Sequence, residues 1–215
     1  MVEGRSRGRD PGRTRDPVRI HGEVGIGLRA KTARAIAVAL VESDEGLVVV
    51  DRREIATFDP AHPDSKQPHH AGLDLPESKA RPRVDAAEEA VRRAARSSVD
   101  ALVSDLGRAG LGTLGIAVVG APVKDPARIG NPHVRAHAAE GQLFRRVLEQ
   151  AASERALLRV TLDEREAWEQ AAAGMHCAID ALRRQVADLG QRIGPPWRAD
   201  EKLACLGALV VLGSR

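Results

Sequence analysis

The chain of 215 residues has no tyrosine, and its only aromatic residues besides histidine are Phe58, Phe144, Trp168 and Trp197. That scarcity argues against a protein that grips single strands by stacking successive bases on aromatic rings. Apolar runs are short as well. None reaches the roughly 18 residues that a membrane-spanning helix needs, so no membrane association is expected. The N-terminus carries arginines but no apolar segment, which disfavours a secretory signal. Cysteine is limited to Cys177 and Cys205, without CxxC or Cys/His spacing. Two buried thiols in a reducing cytoplasm are the simplest expectation. A Walker A loop, a GxGxxG turn and a nucleophile elbow are all missing, which disfavours nucleotide binding and serine or cysteine hydrolysis by those routes.

What is present is a mixture of helix-forming Ala, Leu, Arg and Glu with short Val and Ile runs, a composition that suits an α/β domain. The net charge of +3 is uneven. Residues 1–20 hold Arg5, Arg7, Arg9, Arg13, Arg15 and Arg19 against Glu3, Asp10 and Asp16, which accounts for all of it. Residues 1–22 read as a disordered basic tail able to touch phosphate without sequence preference, and 23–215 as one domain.

Along that domain, Val24 to Phe58 reads as two or three antiparallel strands with a turn at Ser43-Asp44-Glu45-Gly46. Residues 59–83 hold five prolines with His62, His69 and His70, and read as a long loop. A helix is predicted from a cap at Asp85 to about Gly107, because Val91, Ala95, Val99, Leu102 and Leu106 recur on one face. Leu114 to Val119 reads as a strand, His133 to Ala152 as a helix and Leu157 to Leu162 as a strand. Glu164 to about Leu189 reads as helical with a break near Gly174. Asp200 is expected to cap a last helix over Glu201 to Leu212. The predicted order is β-β-β-α-β-α-β-α-α.

Two acidic sites frame the last third: Asp163-Glu164-Arg165 after the Leu157–Leu162 run, and Asp200-Glu201 ahead of an apolar segment. Their plainest readings are structural. An acid in a helix's first turn is favoured by the dipole, and an Asp is an ordinary N-cap. His133, His137 and Glu140 share a predicted helix face, where a His/His/Glu metal set is conceivable. Arg135 opposes a cation there, so a solvated face is expected, and His69-His70 is read in the same way.

Several segments in order resemble the YqgF-type relatives of the RuvC resolvases, over about residues 24–212. Gly25-Ile26-Gly27-Leu28-Arg29-Ala30-Lys31 resembles their G-[LI]-D-x-G-x-K opening, and Ile116-Ala117-Val118-Val119-Gly120-Ala121-Pro122-Val123 their V-V-G-L-P-L strand. Thr161 to Glu169 resembles their strand-end D-E-R and the helix after it, and Asp200 their final D-x-x-A segment. The resemblance implies an α/β RNase H-like fold, with a central mixed sheet flanked by helices. It also implies Mg²⁺- or Mn²⁺-dependent hydrolysis of phosphodiesters in structured RNA or DNA. Glu164 and Asp200 would be metal ligands and catalytic residues, Asp163 a helper, and Lys31 or Arg165 would face phosphate. Hard cations want oxygen ligands, and paired metals can activate water and stabilise the leaving oxygen.

The opening departs from the pattern. In that alignment Gly27 stands in place of the first-strand Asp, and Arg29 in place of the second Gly. Glu23 and Glu42 lie at the wrong offsets to substitute. Two expectations follow: a metal-dependent nuclease, or a catalytically degenerate relative without a metal cofactor that binds nucleic acid or a protein. A sugar-kinase or actin-like ATPase is disfavoured by the short chain and the Gly27-Leu28-Arg29 opening.

Overall fold

The computed structural model describes residues 22–122, 125–155 and 157–214. The basic tail, apart from Gly22, lies outside them. Five strands form one sheet of order β3-β2-β1-β4-β5: β1 (Gly22–Lys31), β2 (Arg34–Ser43), β3 (Gly46–Ala56), β4 (Leu111–Gly120) and β5 (Leu158–Asp163). The first three are antiparallel neighbours, whereas β4 pairs parallel to β1 and β5 parallel to β4. The tight first turn puts Ala33 at φ 64, and the second puts Gly46 at φ 100, where a residue without Cβ is unstrained. Parallel pairing brings the carboxyl ends of β1, β4 and β5 to one edge, with Arg29 opposite Val119 and Gly120 opposite Asp163.

Among the described residues, five α-helices cover the sheet. On one face, Ile26, Leu28, Ile116 and Val118 pack under α1 (Glu77–Arg108) and α2 (Pro132–Ser153), against Val99, Leu102, Phe144 and Leu148. The other face holds α3 (Ala167–Gly174), α4 (Ile179–Ile193) and α5 (Ala199–Gly213). α5 is buried from Ala204 to Val211, between the strands and the layer made by α3 and α4. Its apolar composition on all sides suits that central place.

The strand order matches the sequence expectation, the stretch expected to be helical from Glu164 to about Leu189 is two separate helices, α3 and α4, parted after Gly174, and several boundaries move. α1 begins at Glu77 rather than after Asp85, and runs through Pro82. Residues 76–79 and 81–83 are exposed, so water can reach the carbonyl that loses its partner to proline. The remaining Pro/His segment is built of two 3-10 turns, Pro63–Lys66 and His70–Gly72. Ser65 ties the first turn: its hydroxyl accepts from Asp59 N at 2.9 Å and donates to His62 O at 2.6 Å. Asn131 caps α2, accepting from Val134 N at 3.1 Å. The predicted pair of buried thiols is half right. Cys205 is fully buried in α5, and burial pushes its thiol up to about 12, whereas Cys177 is half-buried.

Candidate functional site

Side chains alternate across β1. Val24, Ile26 and Leu28 enter the core under α1 and α2, whereas Gly25, Gly27, Arg29 and Lys31 face α5. A Cβ on Gly25 would stand 2.5 Å from Ala208 O, and one on Gly27 1.7 Å from Ala204 O. Two strand residues advance about 6.6 Å and four helix residues about 6 Å, so helix and strand stay in step. The next member of each series is therefore Arg29 beside Asp200. At this level the chain passes the N-terminal end of α5, and a long side chain has room.

Arg29 lies at the meeting point of the strand ends. Its guanidinium Nη2 donates to Glu164 Oε2, Nε lies 3.5 Å from Asp200 Oδ1, and Nη1 donates to Ala30 O at 2.8 Å. The Arg29 side chain is 10% exposed, against 27% for Glu164 and 32% for Asp200. Lys31 Nζ adds a second cation to Asp200, at 3.2 Å from Oδ2. Two carboxylates and two cations thus form one ion-pair network at the edge of the sheet.

Glu164 and Asp200 both face Arg29, although neither occupies the helical position expected from sequence. Glu164 lies in the turn ahead of α3, its backbone N–H donating to Gly120 O at 2.9 Å and prolonging the β4–β5 pairing. Asp200 is not the cap of α5. That place belongs to Arg198, whose backbone N–H donates to Glu201 Oε2 at 2.8 Å. This bond leaves the Asp200 carboxylate free to face Arg29 and Lys31. Asp163 closes the turn after β5, its Oδ1 accepting from Arg165 N at 2.9 Å. Arg165 is exposed on that turn.

Arg29 was missed as the central residue because the motif alignment placed the missing acid at Gly27. In the structure the β1 residue at the two carboxylates is a different one. Gly27 lies beneath the backbone of α5, and the β1 side chain that faces Glu164 and Asp200 is Arg29. The available signal was the G-x-G-x-R alternation, read against the small residues Ala204 and Ala208 four apart on α5.

A divalent ion does not suit this donor set with Arg29 in place. The guanidinium takes one oxygen of Glu164 and lies beside Asp200, and Lys31 and Arg29 together cancel both carboxylates. A hard dication needs uncompensated oxygen ligands.

Solved structures similar to this chain include two of RuvC. The Thermus thermophilus RuvC structure aligns with a TM-score of 0.46 and 13% identity, over 87% of this chain and 92% of that one. T. thermophilus RuvC in complex with Holliday junction substrate aligns with a TM-score of 0.44 and 13% identity, over 87% and 91%. No family model and no curated protein matches the sequence. The fold itself is α/β, its mixed sheet ordered β3-β2-β1-β4-β5 between two helical layers.

Proposed function

We propose that this chain is a catalytically degenerate RNase H-like protein that binds structured RNA or DNA without cleaving it. The observation that carries this reading is Arg29, whose guanidinium lies against Glu164 and Asp200 where a metal-dependent nuclease would hold its ion. An internal cation balances the carboxylates permanently, but it carries no water whose pKa it could lower. It also removes the repulsion that an open acidic cluster would exert on phosphate. Lys31 remains about one-third exposed beside it, and Arg165 is exposed on the next turn. The basic residues of segment 1–20 add charge that phosphate backbone attracts.

The nuclease reading keeps one specific support: Glu164 and Asp200 do converge, from different elements, at the end of β1. One experiment separates the two. Labelled structured RNA, single-stranded DNA and four-way junctions are incubated with Mg²⁺ or Mn²⁺ and either the wild type or the Glu164→Ala/Asp200→Ala variant. Binding is followed in parallel by anisotropy over a salt series. The expected result is salt-sensitive binding, with no cleavage above that of the variant. Metal-dependent cleavage lost in the variant would establish the nuclease. Absence of both binding and cleavage would turn the search to a protein partner.

A further inference from the structure

The segment between β3 and α1 lays His70 against the solvent end of α2, bringing together histidines that are far apart in sequence. His70 Nδ1 lies 2.8 Å from Glu140 Oε1, and His70 N donates to the same oxygen at 3.2 Å. One turn earlier on α2, His137 Nδ1 lies 3.9 Å from Glu140 Oε2, and the His70 and His137 ring centroids are 4.3 Å apart. One ligand atom from each of His70, His137 and Glu140 falls within 4.8 Å of the others.

Glu140 gives this group its meaning. Its side chain is 0% exposed, and Oε2 has no hydrogen-bond partner among the described residues. A buried carboxylate oxygen left unpaired is costly, and the side chains facing it are imidazoles, the commonest metal ligands. The cation that the sequence set against this face is directed elsewhere. Arg135 Nε donates to Ile129 O at 2.9 Å and Nη2 to Gly130 O at 3.4 Å, both in the loop ahead of α2.

We propose that His70, His137 and Glu140 form a binding site for a first-row divalent transition metal, with Zn²⁺ the best match. Two imidazoles and one carboxylate are a zinc donor set that leaves a fourth position open. His137 is 62% exposed, so that position faces solvent, with the His133 ring 5.8 Å from that of His70. Ligand atoms held about 2.1 Å from one tetrahedral zinc lie about 3.4 Å apart, so the three groups, now within 4.8 Å of one another, would draw in on the ion. A metal there fastens the Pro/His segment to α2. This site is independent of Arg29 and of whether the protein cleaves or binds nucleic acid.

The test uses the untagged full-length chain, stripped with a chelator and titrated with Zn²⁺ by calorimetry, with bound metal counted by elemental analysis. The Co²⁺-loaded protein is then examined for the visible absorption of a low-symmetry nitrogen and oxygen site. One equivalent of Zn²⁺ is expected, together with a rise in thermal midpoint. His137→Ala alters an exposed side chain and is expected to fold normally, yet to bind Zn²⁺ at least about tenfold more weakly. His70→Ala is expected to weaken it similarly. Mg²⁺ is expected not to compete. Absence of stoichiometric Zn²⁺ binding overturns the proposal, and so does uptake that survives both His137→Ala and His70→Ala. The first result would leave His70–Glu140 as a hydrogen bond only; the second would place the metal elsewhere.

Discussion

The carbonyl oxygen of Ala204 stands 1.7 Å from the point where a Cβ on Gly27 would lie. Helix α5 therefore rests directly on the backbone of β1, and Gly207 of the same helix also meets the strand, its own Cβ position 3.4 Å from Gly27 Cα. The clash at Gly27 is with backbone, so no rotamer change relieves it. Gly27→Ala is expected to cost about 3 kcal/mol, the upper end for overpacking a core. Gly27→Asp should cost more, because it also buries an unpaired carboxylate. Denaturant unfolding checks this, with Gly112→Ala as the control, since nothing lies within 4 Å of a Cβ there. A Gly27→Ala midpoint equal to that of wild type would show that α5 does not pack so closely.

A second prediction concerns the place that Arg29 fills. Arg29→Asp replaces the guanidinium with an acid facing Glu164 and Asp200, so three carboxylates repel one another and the apo protein loses about 3 kcal/mol. The same change creates the oxygen-rich set that a hard cation prefers. Mg²⁺ at a hundredfold excess over Kd should return about 2.7 kcal/mol to the variant and nothing to the wild type. Thermal midpoints with and without Mg²⁺ read both effects. An equal Mg²⁺ response in the two proteins would mean that Arg29 does not govern the site.

These two residues also mark how far the sequence could be read. Strand and helix order was legible because the apolar periods are clean: alternation in β2, a repeating face in α1, a continuous run in α5. The convergence of Glu164 and Asp200 was legible only through the family resemblance, which implies that both are metal ligands. Arg29 was not, since a motif aligned by its glycines cannot tell which residue of an alternating strand passes under a helix and which clears its end. The 1.7 Å contact beneath Ala204 decides that, and it is a tertiary fact. Likewise, nothing local shows that Arg198 and Glu201 close the start of α5 and release Asp200, or that His70 comes to rest on Glu140, 70 residues away.

A third prediction follows from the contact between β3 and α1. Arg53 Nη1 donates to Asp105 Oδ2 at 2.5 Å, and the same guanidinium pairs with Asp51. The hydrogen bond from Arg53, helped by the charge of Arg108, holds the Asp105 carboxyl below the usual carboxylate range. In the unfolded chain that carboxyl returns to about 3.9. Between the folded and unfolded values the unfolded state therefore binds more protons, and stability rises with pH. The contribution is complete above about pH 5 and disappears as pH falls through the lowered folded value. Asp105→Asn removes the charge without removing the side chain. It is expected to be less stable than wild type at pH 7, and the difference should shrink steadily once the pH drops below about 4. Urea midpoints of both proteins between pH 7 and pH 2 measure this difference directly. A gap that stays constant over the whole range would show that the carboxyl of Asp105 titrates alike in the folded and unfolded chains, and that its pairing with Arg53 adds nothing to folding.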